Sequence, residues 1–140
     1  MPMQVRFSDV DRFGHVNNAV YLSYLELARL RIYQDESLGQ SVEQLAGEGA
    51  GIVIAYQEIA YRAPIGADVP TLDVAAWVSG VRRSSFDVAY SVRVGEKECA
   101  IASTSIVVVD VESGRPRALN DRAKEILKHF GGPPVDVRGR

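Results

Sequence analysis

Polar residues of several types cluster between residues 8 and 18, directly before a long apolar run. The stretch reads S-D-V-D-R-F-G-H-V-N-N and contains two aspartates, one histidine and two asparagines. A carboxylate can act as a nucleophile or a general base, and an imidazole can deliver a proton. Unpaired backbone amides at the start of a helix can stabilise negative charge that grows on an oxygen. The spacing therefore fits a site in which a carboxylate reacts beside the first turn of a helix, and it fits equally a carboxylate that only caps a turn or the helix.

The apolar run that follows predicts this helix over Ala19–Tyr33. A helix that is apolar on nearly all sides is typical of a buried helix. Its second half contains Glu26, Arg29 and Arg31, so we expect that end to emerge toward solvent.

The rest of the chain predicts a sheet and two shorter helices. Residues 3–7 indicate a short strand, and Ser41 with Gln44 forms a capping-box pair for a short helix. After Gly51 the residues alternate between apolar and polar with short turns, which indicates an antiparallel meander with one buried face. A last helix begins at Asn120 or Asp121 as its cap. We predict one α+β domain over residues 1–130, in which the sheet curls around the long helix, and a flexible tail over residues 131–140.

Composition narrows the class of protein. The chain has 140 residues, a net charge of -2 and a pI near 5.7, so we expect neither nucleic acid nor an anionic membrane as a partner. Cys99 is the single cysteine, and with two histidines it offers no metal-ligand spacing, so we predict no metal site. No signal peptide or membrane-length apolar run is present, which predicts a cytoplasmic protein. A G-x-S-x-G elbow and a glycine-rich nucleotide loop are also absent.

Two segments resemble one known family. The first is D-V-D-R-F-G-H-V-N-N-A-V-Y followed by Y-L-E-L-A-R, which is similar to the signature of hot-dog-fold thioesterases. The nearest group is the 4-hydroxybenzoyl-CoA thioesterase and acyl-CoA thioester hydrolase superfamily. The second segment, residues 61–92, resembles the family's second and third sheet strands and a turn of basic residues followed by serines. The resemblance covers roughly residues 3–130.

This resemblance implies a hot-dog fold, in which a curved antiparallel sheet wraps around a long central helix. It implies an acyl-CoA thioesterase that needs no cofactor. We expect a homodimer or homotetramer, because a partner subunit could cover the far face and the free edges of the sheet. The G-H-V-N-N version of the motif is shared with a branch that includes acyl-ACP thioesterases, so CoA and ACP both stay open as the carrier. A hot-dog hydratase and a non-catalytic acyl-CoA-binding module also stay open as functions.

Residue roles follow from the same motif. The resemblance implies that Asp11 is the catalytic carboxylate, as nucleophile or general base; the plainer interpretation is a turn or helix cap. His15 either makes a structural hydrogen bond or orients the substrate and protonates the departing thiol. Asn17 and Asn18 are most simply helix caps. In the functional interpretation, Asn17 binds the substrate and the Asn18 N–H donates to the carbonyl oxygen. Asp9 is expected to be structural.

The turn between two predicted strands contains two arginines and two serines. The plain interpretation is that such a turn is exposed to solvent and binds no ligand. The functional interpretation is a rim that binds the phosphates of CoA, because the planar arginine fork suits phosphate and the serine hydroxyls can donate to it. These candidate substrate-binding residues are Arg82, Arg83, Ser84 and Ser85.

Overall fold

A computed structural model describes residues 1–139 as five strands, three α-helices and two 3₁₀ turns. The strands are β1 (Pro2–Gln4), β2 (Ala50–Tyr61), β3 (Thr71–Val81), β4 (Ser85–Val94) and β5 (Lys97–Asp110). The α-helices are α1 (Tyr21–Gln34), α2 (Val42–Ala46) and α3 (Asp121–His129), and the 3₁₀ turns are Phe7–Asp9 and Asn18–Val20. No helix within residues 1–139 is long and apolar enough to cross a membrane.

The strands form one antiparallel sheet in the order β1-β3-β4-β5-β2. The predicted meander is right for β3, β4 and β5. It is wrong for β2, which pairs along its whole length with β5, from Ala50 opposite Asp110 to Tyr61 opposite Ala100. As a result β2 is an edge strand of 12 residues, and its outer side pairs with no strand of the described chain.

The core lies between α1 and the inner face of the curled sheet, which confirms the predicted α+β hot-dog fold. On the sheet, Phe86, Val88 and Tyr90 alternate along β4 and are fully buried, as period-two alternation predicts. From the helix, Tyr21 and Leu25 contribute side chains one turn apart to the same core.

The prediction that α1 is buried on all sides is wrong for the single chain. Leu22 and Leu27 are exposed on its outer face, Leu27 by 52%. The prediction that Arg29 emerges toward solvent is also wrong, because Arg29 is only 8% exposed. Helical spacing puts it on the same face as Tyr21 and Leu25, and its guanidinium lies 3.5 Å from Oε1 of Gln57.

The predicted N-terminal caps of the two shorter helices, α2 and α3, are confirmed. The Ser41 hydroxyl accepts from the Gln44 N–H while the Gln44 side chain accepts from the Ser41 N–H. Asn120 caps α3 by accepting from the Ala123 N–H. The first strand is shorter than predicted, because the chain leaves the sheet after Gln4 and turns at Phe7–Asp9.

Part of the predicted tail packs against β3. The Gly132 N–H donates to the Val78 carbonyl, the Trp77 indole donates to the Pro133 carbonyl at 2.7 Å, and Val137 is buried. Arg140, the last residue of that predicted tail, lies outside the described residues. The domain boundary near residue 130 stays a prediction.

Candidate active site

The polar cluster forms a small closed loop, residues 9–17, which we call the Asp11 loop. The two sides of the loop pair at Val10 and Val16. The Asn17 N–H donates to the Asp9 carbonyl at 2.7 Å, and the Asp11 N–H donates to the His15 carbonyl at 2.8 Å. The loop is therefore a miniature hairpin that ends where the polypeptide turns into α1.

Asp11 organises the tip of this loop through one of its two carboxylate oxygens. Oδ1 accepts hydrogen bonds from the Phe13 N–H at 2.8 Å and from the His15 N–H at 3.2 Å. Its second oxygen accepts no hydrogen bond from residues 1–139. The turn-capping interpretation of Asp11 is thus correct for Oδ1, and Oδ2 has no hydrogen-bond partner in the described part of the chain.

Gly14 and His15 attach the loop to the segment between β2 and β3. Gly14 has a φ of 80°, a conformation that glycine adopts without steric cost, and its carbonyl accepts from the Ala67 N–H. His15 pairs through its backbone with Gly66. Its imidazole is exposed and makes no hydrogen bond within the described chain, so the structural hydrogen bond that we considered for His15 is not formed there.

Asp9 anchors the base of the loop. Asp9 is 1% exposed, and its carboxylate accepts from the Arg6 backbone N–H at 2.9 Å, from the Arg6 guanidinium at 3.1 Å and from the Tyr24 hydroxyl at 2.8 Å. Burial alone would raise the pKa of this carboxyl, but the hydrogen bonds from Arg6 and Tyr24 outweigh burial and hold the pKa below its usual value of 3.8. The expected structural role of Asp9 is confirmed.

A lowered pKa makes the contribution of Asp9 to stability dependent on pH. The ionised carboxylate stabilises the folded chain above the unfolded-state pKa near 3.8, and this stabilisation is lost as the pH falls through the lower folded-state pKa. We expect Asp9→Asn to lower the free energy of unfolding by about 2 kcal/mol at pH 7. The difference in unfolding free energy between the variant and the wild type should shrink below pH 3.8. Urea unfolding at pH 7 and at a pH below 3.8 measures this difference. An equal difference at both would contradict this assignment.

The start of the helix differs slightly from the prediction. A 3₁₀ turn at Asn18–Val20 precedes α1, and Asn17 caps this turn by accepting from the Ala19 N–H at 2.9 Å. The cap role of Asn17 is therefore confirmed. The Asn18 N–H donates no hydrogen bond within residues 1–139, as the first amides of a helix typically do not.

A cleft of about 250 Å³ opens beside this turn. It is lined by Asn18, Tyr21, Tyr61, Arg62, Ala63 and Pro64. The Tyr61 hydroxyl donates to the Asn18 carbonyl at 2.8 Å, and its ring meets the Tyr21 ring edge-on at 5.0 Å. Burial raises the pKa of Tyr21 to about 12 and also raises the pKa of Tyr61, so both phenols are neutral at physiological pH.

Sequence reasoning missed Tyr61 as a residue of this cleft. Its contact with Asn18 joins positions 43 residues apart, and no local pattern reports such a contact. Asp11 and His15 are not among the residues that line the cleft.

The turn at residues 82–85 lies elsewhere. The Arg82 guanidinium makes two hydrogen bonds of 2.7 Å to the Asp87 carboxylate and one of 2.9 Å to the Ser85 hydroxyl. The ion pair holds the pKa of Asp87 below its usual range, against the effect of burial. Arg83 is exposed, and its guanidinium contacts no partner in the described part of the chain. Only Arg83 of the two arginines is therefore free to bind an anion.

The predicted site residues thus fall into two groups. Asp11, His15, Asn17 and Asn18 lie together at the end of the sheet where β3 begins. Residues 82–85 follow the other end of β3, roughly 30 Å away along the strand at about 3.3 Å per residue. Within residues 1–139 no group of three or more His, Cys, Asp and Glu side chains is placed to hold a metal ion.

Comparison with known proteins gives consistent results. The family model for the thioesterase-like superfamily matches residues 5–129. The uncharacterized protein YsmA of Bacillus subtilis (strain 168) is 29% identical over 130 residues, covering 91% of this chain and 83% of YsmA.

Solved structures of similar chains share the fold. A thioesterase from Thermus thermophilus, crystallised with coenzyme A and zinc, is 33% identical and superimposes with a TM-score of 0.76. That match covers 96% of this chain and 95% of the Thermus chain. YbaW from Escherichia coli, a probable thioesterase, is 22% identical with a TM-score of 0.77, over 93% of this chain and 96% of YbaW.

Proposed function

Because the chain belongs to the thioesterase-like superfamily, we propose that it hydrolyses the thioester of an acyl-CoA to a free acid and CoA. The observation that carries this proposal is the Asp11 loop itself. It presents a carboxylate with one unengaged oxygen, and it leads into a helix start at which the Asn18 N–H is unpaired.

Two chemical routes use these groups. As a general base, Asp11 takes a proton from water, the water oxygen bonds to the carbonyl carbon, and the C–S bond then breaks. As a nucleophile, Asp11 bonds to the carbonyl carbon itself, CoA leaves as a thiolate, and water hydrolyses the resulting anhydride. In both routes the Asn18 N–H donates to the carbonyl oxygen as negative charge grows there, and His15 supplies the proton for the departing thiolate.

Coenzyme A is the carrier that we favour over ACP. The Thermus thioesterase that is 33% identical was crystallised with coenzyme A. An exposed arginine at the β3–β4 turn suits the phosphates of CoA, since a guanidinium binds phosphate through two parallel hydrogen bonds.

This assignment gives opposite expectations for two adjacent arginines. We expect Arg83→Ala to raise KM for acyl-CoA about fivefold, because an exposed charge–phosphate contact is worth roughly 1 kcal/mol. KM for the matching acyl-pantetheine, which lacks the phosphates, should not change. Arg82→Ala is the control, because it breaks the Asp87 ion pair and should act on thermal stability rather than on KM. If Arg83→Ala changed KM equally for both substrates, Arg83 would not bind the phosphates of CoA.

A second copy of the chain would shorten the distance that one substrate molecule must span to contact both groups of residues. The pantetheine arm of CoA is about a dozen bonds long, so it spans about 15 Å when extended at roughly 1.2 Å per bond. This is half the distance along β3 from the Asp11 loop to the Arg83 turn. We therefore propose a homodimer in which the Arg83 turn of one copy faces the Asp11 loop of the other.

The edge strand β2 is the surface that we propose for this dimer. It is 12 residues long, and Val53, Tyr56 and Tyr61 are large exposed apolar side chains along it. A long apolar edge with unpaired N–H and C=O groups pairs readily with another strand. If the β2 strands of two copies paired about a two-fold axis, the unpaired N–H and C=O groups of both edges would form hydrogen bonds. A homotetramer and the cytoplasmic location remain predictions.

A panel of acyl-CoAs with aromatic, short and long acyl groups tests the function, with released thiol measured by a chromogenic reagent. We expect at least one substrate to release thiol far faster with the wild type than with Asp11→Ala. Thioesters of ACP, assayed in parallel, identify the carrier. If acyl-CoA incubated with an equimolar amount of the protein is recovered intact, the chain is a non-catalytic binding module. A change in enoyl absorbance would indicate a hydratase. Either result without thiol release would refute the hydrolase proposal.

A further inference from the structure

We propose that Asp9 and Tyr24 are positioning residues that hold the Asp11 loop in register with the first turn of α1. This inference rests on the proposed function, because it concerns the placement of Asp11 for the reaction. Neither side chain is assigned a contact with substrate. Their effect is on where Asp11 stands relative to the Asn18 N–H.

Apart from its backbone pairing with residues 65–67, the Asp11 loop has few contacts that hold it. Phe13, at its tip, is 71% exposed, and Arg12 and His15 are exposed as well. Only Asp9 and Val16 within the loop are buried. A loop with few buried apolar contacts opens easily, so the polar contacts at its base carry a large share of its order.

Asp9 joins three segments at one buried point. Its carboxylate accepts from Arg6 in the segment after β1 and from the Tyr24 hydroxyl of α1, and its carbonyl accepts from the Asn17 N–H on the far side of the loop. Tyr24 lies one turn after Tyr21, the first residue of α1, and its side chain is 3% exposed. The contact between the Tyr24 hydroxyl and Asp9 Oδ2 thus fastens the loop directly to the helix.

The consequence for the reaction is geometric. Asp11 belongs to the loop, whereas the unpaired Asn18 N–H belongs to the start of the helix. A displacement of about 1 Å between reacting groups can cost roughly 100-fold in rate. Loosening the Tyr24–Asp9 contact should therefore lower kcat and leave KM nearly unchanged, because the groups proposed to bind CoA lie elsewhere.

Tyr24→Phe removes only the hydroxyl and is the first variant to measure. We expect kcat to fall about tenfold or more, with KM within a factor of two. Tyr33→Phe is a matched control on the same helix, because the buried Tyr33 hydroxyl makes no hydrogen bond within residues 1–139. Tyr33→Phe should keep the wild-type kcat. An equal loss of kcat in both variants would overturn the inference.

A double-mutant cycle separates positioning from general loss of stability. If Tyr24 and Asp9 act through Asp11, then Tyr24→Phe and Asp9→Asn should not lower the residual rate further in an Asp11→Asn background. Rates are compared at a temperature at which circular dichroism shows all variants folded. Additive losses in the cycle would refute a positioning role.

Limited trypsin digestion gives a readout that does not depend on catalysis. Trypsin cleaves after Arg12, in the middle of the exposed loop. We expect cleavage after Arg12 to be severalfold faster in Tyr24→Phe than in the wild type or Tyr33→Phe. If the wild type hydrolyses no thioester, the proposed function fails while this digestion still tests the loop. Unchanged cleavage after Arg12 would show that Tyr24 does not hold the loop.

Discussion

Asp11→Asn should lower kcat for acyl-CoA hydrolysis about 1,000-fold or more, with the fold and CoA binding retained. The amide oxygen of asparagine can still accept from the Phe13 and His15 N–H groups, so the loop should keep its shape. What is lost is the negative charge on the second oxygen, which both chemical routes require. Thiol release under saturating substrate measures kcat, and calorimetry with CoA checks binding.

Asp68→Asn is the matched control for this substitution. Asp68 is exposed on the neighbouring segment after Gly66, and its carboxylate accepts no hydrogen bond from the described residues. Asp68→Asn should leave kcat within a factor of two of the wild type. An Asp11→Asn variant that kept most of the wild-type kcat would eliminate Asp11 as base and as nucleophile.

A single turnover in ¹⁸O-labelled water identifies Asp11 as a nucleophile if the label appears in the protein. A general base never bonds to the substrate, so the label should enter only the released acid. If Asp11 is the nucleophile, water must hydrolyse the anhydride that joins Asp11 to the acyl group. Attack of water at the carboxyl carbon of Asp11 leaves ¹⁸O in the protein. Mass spectrometry of the peptide that contains Asp11 measures that label.

Lysines on the edge strand should abolish both dimer and activity. We expect Val53→Lys/Tyr56→Lys to sediment as a monomer and to lose about 100-fold or more in kcat/KM. Val53 is 49% exposed on β2, and like charges that face each other across a strand pair are destabilising. Analytical ultracentrifugation measures the mass, and the thiol assay measures the activity of the same samples.

The control places a lysine at the opposite edge of the sheet. Phe7 is fully exposed just after β1, so Phe7→Lys adds a charge without touching β2. It should keep the wild-type mass. A β2 variant that stayed dimeric, or a fully active monomer, would contradict the proposal that two copies build the site.

Mixing two impaired variants tests whether the site spans two chains. In a mixed dimer of Asp11→Asn and Arg83→Ala, one site would combine the intact Asp11 of one chain with the intact Arg83 of the other. We expect kcat/KM at low substrate to rise above the sum of the two parent variants after unfolding and refolding them together. No gain over the separate samples would mean that each chain uses its own Arg83 or none.

Local structure and the family were readable from the order of residues alone. The Ser41–Gln44 capping box and the Asn120 cap are confirmed, because each depends on residues only a few positions apart. The alternation in β3, β4 and β5 was also readable, since one buried face imposes a period of two. The motif around Asp11 identified the family for the same reason, because its residues are contiguous.

Which elements meet became clear only from the folded chain. Periodicity states that a face is buried but not what covers it, so β2 was placed beside the wrong strand and Arg29 was expected in solvent. The contacts from Tyr61 to Asn18 and from Tyr24 to Asp9 join residues 43 and 15 positions apart. Such contacts depend on how the chain closes around its core, and they determine how the Asp11 loop stands against the helix.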